Sequence, residues 1–252
     1  MCGRFASFRS AQDVADDVAI AELADDARML PPSWNVAPTD DVRIVVERPE
    51  RVAGGPGTGA ITRSLQVARW GLVPSWSKDP SGGARMINAR VETLLDKPAF
   101  AKPLAVRRCL VPADGYFEWR KLEPVTGSKV PKQAYWIHRE GEPVLFAGLY
   151  EFWRDRTRAD DDPARWLVST TIITTAASAP MAHVHDRMPV ALPTSAWDAW
   201  LDPAVGAEQA SGLLDAHLDE FALRPVRALV GSVQNNFPEL LEEDPEPLAS
   251  GR

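Results

Sequence analysis

The sequence predicts an α+β domain built mainly on antiparallel, barrel-like β-sheets with flanking α-helices. Short runs rich in β-branched and aromatic residues dominate the middle of the 252-residue chain, whereas helical patterns occur near its two ends. Strands therefore do not alternate regularly with helices, which disfavours a doubly wound parallel sheet. Because the chain shows no internal repeat and no linker before residue 238, we expect residues 1–237 to form a single domain.

The first predicted element is an amphipathic, strongly acidic helix over residues 10–29. Ser10 and Asp13 have the spacing of a capping box, and an apolar stripe follows them. The composition of the next segments predicts strands at residues 42–46, 65–70, 108–112, 116–119, 134–138, 144–152 and 166–174.

Two further helices are predicted late in the chain, at residues 194–201 and 207–218, from the spacing of their apolar residues. The last fifteen residues, "PELLEEDPEPLASGR", are rich in proline and acidic residues and contain few apolar ones. Such a segment buries too little apolar surface to offset the entropy cost of ordering the chain. We therefore expect residues 238–252 to form a disordered acidic tail.

The composition excludes several classes of protein. It includes 45% hydrophobic and 25% charged residues, with no run of about 18 apolar residues to span a membrane. Charged residues occupy the beginning of the chain, where a signal peptide needs an apolar stretch. The two cysteines, Cys2 and Cys109, are too few for a disulfide framework and lack metal-binding spacing. These features predict a cytoplasmic protein with no membrane partner.

The net charge of −7 hides an uneven distribution. Residues 63–132 contain 13 Lys and Arg against 6 Asp and Glu, while the rest of the chain contains 15 against 29. A basic central segment therefore lies between acidic ends, which favours an anionic partner for that segment.

Five stretches are unusual for a plain protein core: "MCGRF" (1–5), "WGLVPSW" (70–76), "INARVET" (87–93), "PADGYFEW" (112–119) and "HVHDRMPV" (183–190). A carboxyl group held among aromatic rings, as Glu118 would be, loses solvation, and its pKa rises toward neutrality. Histidine titrates in the same range without help. His183 and His185 share a strand face, but no third ligand accompanies them, so we expect no metal.

Other side chains in or near these stretches suit single-stranded nucleic acid. Arg4, Arg85 and Arg90 have planar guanidinium groups that can each bind two phosphate oxygens. Trp70 and Trp76 are candidates to stack on unpaired bases, although tryptophans are more often core or surface anchors. Asn88 supplies an amide that can hold a sugar oxygen or a chain terminus in place.

Taken together, the motifs resemble the SOS-response-associated peptidase (SRAP) family, proteins that process abasic sites in single-stranded DNA. The resemblance covers about residues 2–192, with a further similar stretch at 230–236, and it depends on several ordered motifs. It implies an SRAP-like fold and the catalytic residues Cys2, Asn88, Glu118 and His185. It also implies DNA contacts at Arg4, Trp76, Arg90 and Thr174, to which the composition of the motifs adds Trp70 and Arg85.

The resemblance also implies a mechanism. Once Met1 is removed, by a methionine aminopeptidase or by self-processing, Cys2 carries a free amine and a thiol two carbons apart. The amine can attack the aldehyde of a ring-opened abasic deoxyribose, and the thiol can then close a thiazolidine crosslink. Glu118 would shuttle protons, His185 would assist proton transfer at the sugar, and Asn88 would orient the amine. Autopeptidase and abasic-site lyase activities are further possibilities of the same residues.

We accordingly expect a monomer that needs no cofactor, binds single-stranded DNA containing abasic sites and associates with the nucleoid when bound. Two alternatives from other classes stay open. One is a cysteine-dependent peptidase in which His185 is the base for a Cys2 thiolate and Asn88 orients it. The other is a noncatalytic single-strand-binding module in which Cys2 is incidental.

Overall fold

The computed structural model describes residues 2–49, 60–122 and 130–248. Within these ranges the chain forms thirteen strands, numbered in chain order: β1 Phe5–Ser7, β2 Glu22–Leu23, β3 Ser33–Val36, β4 Asp41–Pro49, β5 Ile61–Trp70, β6 Asn88–Arg90, β7 Arg108–Ala113, β8 Gly115–Lys121, β9 Lys132–His138, β10 Val144–Arg154, β11 Trp166–Ala176, β12 Arg187–Pro189 and β13 Ala222–Val226. The same ranges contain six α-helices: α1 Ala11–Asp17, α2 Asp25–Met29, α3 Pro98–Val106, α4 Ala179–Ala182, α5 Thr194–Leu201 and α6 Ala207–Leu213. Short 3₁₀-helices lie at Pro80–Arg85, Val91–Thr93, Pro163–Arg165, Leu214–Ala216, Ala228–Gly231 and Pro238–Leu241.

The strands form two sheets. Strands β11, β10, β7, β4 and β5 follow one another in the larger sheet, and a parallel pairing of β11 with β5 closes them into a five-stranded barrel. The smaller sheet has the order β13-β9-β8-β1-β3, and all its pairings are antiparallel. The predicted α+β class, with mainly antiparallel, barrel-like sheets and flanking helices, is confirmed. All seven predicted strands are present.

Alternation along the barrel strands divides the core between two faces. In β10, Leu145, Ala147 and Leu149 belong to the apolar cluster that includes residues of α3, α5 and α6. Phe146, on the opposite face of the same strand, joins the cluster that contains Phe5 of the smaller sheet. Because side chains alternate between faces, the barrel strands contribute to the cluster with the helices on one face and to the cluster with Phe5 on the other.

The helix predicted over residues 10–29 is wrong in extent, because two helices and a short strand occupy this region. The Ser10–Asp13 capping box is present at the start of α1. The chain then leaves the helix at Ala19, whose φ is +50°. Backbone amides of Ala21 and Ala24 donate to carbonyls of β5, and β2 pairs in parallel with that strand. Pairing with the exposed side of β5 therefore overrides local helix propensity.

The late helices begin where the sequence predicts, at Thr194 and Ala207, although α6 ends at Leu213 and continues only as a 3₁₀ turn. The expectation of a disordered tail is wrong for residues 238–248. Residues 238–248 pack on the smaller sheet, with Leu240 buried and the amide of Leu248 donating to Oε1 of Gln133 at 2.8 Å. A few apolar side chains therefore suffice to hold this acidic segment against the smaller sheet. Residues 249–252 of the expected tail lie outside the described part of the chain.

No helix within residues 2–49, 60–122 and 130–248 is long and apolar enough to cross a membrane.

Candidate active site

Cys2 lies on the N-terminal side of β1, separated from it by Gly3 and Arg4, between the two sheets, and is wholly buried. Pairing of β1 with β8 fixes its surroundings, because the amide of Phe117 donates to the Arg4 carbonyl at 2.9 Å. The residues that precede β1 therefore run beside the part of β8 that carries Glu118. Strand pairing alone thus brings the chain end and the predicted carboxyl group together.

Asn88 holds Cys2 from the barrel side. It begins β6, which pairs in parallel with β11. Its Nδ2 donates to the carbonyl oxygen of Cys2 at 2.7 Å. This hydrogen bond ties Cys2 to the barrel, while β1 belongs to the smaller sheet, so the two sheets fix the position of Cys2 between them.

Burial sets the protonation of the two acidic groups. Desolvation raises the pKa of the Cys2 thiol far above its usual range, and the charge of Glu118 raises it further. Glu118 is only 5% exposed, and burial raises its pKa from 4.5 to about 7. The thiol is therefore protonated at neutral pH, whereas Glu118 exchanges its proton in the range where a general acid or base works best.

His185 lies in the turn between α4 and β12. Desolvation lowers the pKa of its ring, which favours the neutral form at pH 7. Nδ1 accepts a hydrogen bond from the amide of Arg187 at 3.0 Å, and the same atom lies 2.8 Å from Oδ1 of Asp186. The Asp186 side chain is 87% exposed, so water competes for it, and the amide contact decides the tautomer. The neutral ring then carries its proton on Nε2.

Asp186 also links this turn to Glu118. Burial is the main cause of the raised pKa of Glu118, and the negative charge of Asp186 raises it further. The structure therefore brings together all four predicted catalytic residues: Cys2, Asn88, Glu118 and His185. Within the described residues no group of His, Cys, Asp and Glu has the arrangement of a metal site.

The sequence model of one protein family covers nearly the whole chain. The SOS response associated peptidase (SRAP) model matches residues 1–233. This chain belongs to the SRAP family.

Curated relatives of this SRAP chain are named for the processing of abasic sites. It is 37% identical over 244 residues to the abasic site processing protein YoqW of Bacillus subtilis (strain 168), a match that covers 96% of this chain and 99% of the relative. It is 31% identical over 254 residues to the abasic site processing protein YedK of Escherichia coli (strain K12), with 96% and 99% covered. Identity to the abasic site processing protein HMCES of Gallus gallus is 30% over 231 residues, with 83% and 66% covered.

Solved structures agree with the fold of this SRAP chain. A crystal structure of a protein from Bacteroides thetaiotaomicron superposes with a TM-score of 0.75 at 23% identity, covering 96% of this chain and 100% of that one. A phage-related protein from Bordetella bronchiseptica has a TM-score of 0.61 at 34% identity, with 94% and 100% covered.

Two of the residues predicted to contact DNA are corrected by the structure. Trp70 is wholly buried, packs edge-on against Phe5 and donates from Nε1 to the Ile87 carbonyl at 2.9 Å. Thr174 is also wholly buried, with Oγ1 3.4 Å from the Ala89 carbonyl oxygen. Neither side chain has a surface to offer a nucleic acid, because both complete the packing between strands.

The other predicted DNA contacts have different surroundings. Trp76 is 56% exposed, and Arg85 and Arg90 are exposed. Arg4 instead donates to Oδ1 of Asn35 and to the Val230 carbonyl, each at 2.9 Å, with Gly231 as a third acceptor. These three bonds hold the Arg4 guanidinium in place and use three of its five N–H groups, and all four DNA contacts stay predictions.

A close backbone approach places Trp76 and Arg85 on neighbouring turns. Gly71 has a φ of +127°, and a Cβ atom there would lie 2.6 Å from the carbonyl oxygen of Gly83. Only glycine tolerates both the conformation and the contact. The glycine in "WGLVPSW" therefore lets the loop that carries Trp76 pack against the 3₁₀-helix that ends at Arg85.

Sequence reasoning missed three residues that shape the site. Glu92 pairs with Arg187, and Asp186 contacts the His185 ring. All three occur in the quoted motifs "INARVET" and "HVHDRMPV", so the motifs indicated the right segments. The pairing of Glu92 with Arg187 depends on the two strands that flank β11, which no local pattern displays.

Proposed function

We propose that this protein processes abasic sites in single-stranded DNA by forming a thiazolidine crosslink between Cys2 and the ring-opened abasic sugar. The observation that carries the proposal is the arrangement around Cys2: Asn88 binds its carbonyl oxygen, and the buried Glu118 lies close enough to affect the pKa of its thiol. The names of the relatives YoqW, YedK and HMCES support the same substrate.

The chemistry needs the amine that Cys2 gains when Met1 is removed. Its α-amine, with a reference pKa of about 8, is partly unprotonated at neutral pH and attacks the aldehyde carbon. Loss of one water gives an imine. The thiol then adds across the C=N bond: sulfur bonds to carbon, and the thiol proton ends on nitrogen. A reversible imine thereby becomes a five-membered ring.

Glu118 and His185 supply the proton transfers in this scheme. With a pKa of about 7, Glu118 accepts the proton of the attacking amine and returns one to the departing water. The neutral His185 ring, with its proton on Nε2, assists opening of the sugar. Asn88 orients the reacting residue through its bond to the Cys2 carbonyl. Lyase cleavage from the imine is a side reaction of the same intermediate.

The surroundings of Cys2 favour this reaction over thiolate hydrolysis. A cysteine peptidase needs a thiolate, and burial together with Glu118 disfavours that form of Cys2. Addition to an imine, by contrast, starts from the neutral thiol, and Glu118 relays the thiol proton to the imine nitrogen. Removal of Met1 then requires only an aminopeptidase, although self-processing by Glu118 and His185 is compatible with the site.

The DNA strand is proposed to lie along the basic central segment. Trp76 offers an aromatic face for an unpaired base, and Arg85 and Arg90 offer forks for the phosphates. The alternative of a noncatalytic binding module is less well supported, because one of its two proposed stacking residues, Trp70, is buried.

A denaturing gel tests the proposal. Protein beginning at Cys2 is incubated with a single-stranded oligonucleotide that contains one abasic site. We expect a heat-stable, slower-migrating band, because the thiazolidine survives denaturation. The undamaged oligonucleotide is expected to give none.

Two variants serve as matched controls. Cys2→Ala removes the thiol and is expected to abolish the stable band, whereas Cys109→Ala removes the other cysteine, which lies buried in the barrel core, and is expected to keep it. A third sample with a blocked N-terminus separates the alternatives: a hydrolase tolerates the block, but a thiazolidine cannot form. An undiminished band from Cys2→Ala or from the blocked protein would refute the mechanism.

A further inference from the structure

Arg187 connects the turn that carries His185 to two other parts of the site. Its backbone amide donates to Nδ1 of His185 at 3.0 Å. Its side chain is only 12% exposed and forks onto both carboxylate oxygens of Glu92, the longer bond being 3.0 Å. Nη2 also donates to the Thr174 carbonyl oxygen at 2.6 Å. A planar guanidinium held at three acceptors has little freedom to move.

This ion pair spans strand β11. At Thr174 that strand pairs with β6 on one side and with β12 on the other. Arg187 opens β12, whereas Glu92 lies in the turn that follows β6. The pair therefore passes over Thr174 and joins the segment that carries His185 to the segment that carries Asn88.

Two neighbouring groups compete for Nδ1 of His185. The Arg187 amide is a donor, so it favours an unprotonated Nδ1 and a proton on Nε2. The carboxylate of Asp186, 2.8 Å away, is an acceptor and favours the opposite tautomer. Since Asp186 and Arg187 are adjacent in the chain, the orientation of this one peptide segment decides which group the ring meets.

We propose that Glu92 is a positioning residue of the site: it anchors Arg187 so that His185 keeps its proton on Nε2 while Asn88 keeps its bond to Cys2. The consequence for the reaction rests on the proposed crosslinking function; the consequence for the tautomer does not. Glu92 is an acid and has no attraction for phosphate, so its loss separates positioning from DNA binding.

The first test compares Glu92→Gln with Asp96→Asn, which removes the same charge from an exposed position four residues away. At saturating abasic DNA, Glu92→Gln is expected to form the crosslink between about tenfold and a hundredfold more slowly than wild type, because the reacting groups are misplaced. Its affinity for undamaged single strands is expected to be equal or slightly tighter. Asp96→Asn should crosslink at the wild-type rate. Equal rates for the two variants would overturn the proposal.

A double-mutant cycle tests whether Glu92 acts through Arg187. Arg187→Lys keeps the charge but loses the fork, so it is expected to slow the crosslink about as much as Glu92→Gln. The double variant should then be no slower than either single one, since both changes break the same link. Additive losses would mean that Glu92 acts by another route.

A third measurement does not depend on any reaction. In ¹⁵N-histidine-labelled protein, the ring nitrogens of His185, assigned by their absence in His185→Gln, are expected to show an unprotonated Nδ1 in wild type. Glu92→Gln should shift this ring toward a protonated Nδ1 facing Asp186, with an unfolding temperature close to that of wild type. An unchanged tautomer contradicts the proposal even if crosslinking is observed. If wild type forms no crosslink, the proposed function fails, while the tautomer still decides the role of Glu92.

Discussion

Replacing Glu118 by glutamine is expected to stabilise the protein at alkaline pH while it slows the crosslinking reaction. Glu118 is 5% exposed, and burial raises its pKa from 4.5 to about 7. An acid whose pKa is higher in the folded state than in the unfolded state binds its proton more tightly when folded. Its contribution to stability is therefore complete below pH 4.5 and is lost as the pH rises through 7.

The size of the effect follows from the two pKa values. A displacement from 4.5 to about 7 corresponds to about 3 kcal/mol of unfolding free energy above pH 7, at about 1.4 kcal/mol per pH unit. Glutamine has the same shape and no charge to desolvate. The unfolding free energy of Glu118→Gln is therefore expected to be up to about 3 kcal/mol higher than that of wild type at pH 8, which corresponds to an unfolding temperature about 6–12 °C higher. At pH 4.5 the two proteins should differ little in stability.

Urea unfolding of both proteins at pH 4.5 and pH 8 measures this difference, and the gel assay at pH 7 measures the loss of crosslinking. Glu151→Gln is the matched control, since Glu151 is also buried but pairs with Arg107 at 3.0 Å. That change leaves an arginine without its partner and should destabilise the protein at pH 8. A stability difference for Glu118→Gln that stays the same at both pH values would refute the reasoning.

Three further predictions concern DNA binding and the core. Trp76→Ala should weaken binding of undamaged single strands about tenfold through lost stacking, measured by fluorescence anisotropy. The exposed Trp166 is the control, and equal losses at both positions would show a nonspecific effect. Arg85→Gln and Arg90→Gln should each reduce the slope of log affinity against log salt by about 0.7; an unchanged slope would remove that residue from the phosphate contacts. Trp70→Phe should lower stability by about 1–3 kcal/mol in urea unfolding and leave DNA affinity unchanged, because it empties part of the core and removes the indole hydrogen bond to the Ile87 carbonyl, which keeps the Ile172 amide as a donor. A loss of affinity without a loss of stability would contradict the buried position.

The strands of the fold were predictable because a short run of apolar, β-branched and aromatic residues indicates a strand by itself. Runs such as residues 144–152 are long, apolar and rich in aromatic residues, and each became a strand. The region 10–29 was not predictable in the same way. Its helical periodicity is real, yet Ala21 and Ala24 find hydrogen-bond partners on β5, a strand about forty residues later. Local propensity amounts to a few tenths of a kcal/mol per residue, and a tertiary pairing easily exceeds it.

The tryptophans show the same limit within the site. Trp70 and Trp76 stand six residues apart in one motif, and the sequence makes them equivalent candidates for base stacking. One completes the packing around Phe5, and the other stands in solvent. Which of them is buried depends on how β5 meets β1, and that meeting is a property of the assembled sheets.

The sequence by itself determined the chemical inventory of this protein: a cysteine beside the first methionine, and an amide, a carboxyl group and an imidazole within motifs of the SRAP family. Only the tertiary structure decided how these groups are tuned. Glu118 reaches a pKa of about 7 because the folded sheets exclude water from it, and Asn88 meets Cys2 because β6 and β1 converge from different sheets. The ion pair of Glu92 with Arg187 likewise exists only because two strands flank β11. Residue types are a property of the chain, but desolvation and distance arise only when segments far apart in sequence pack together.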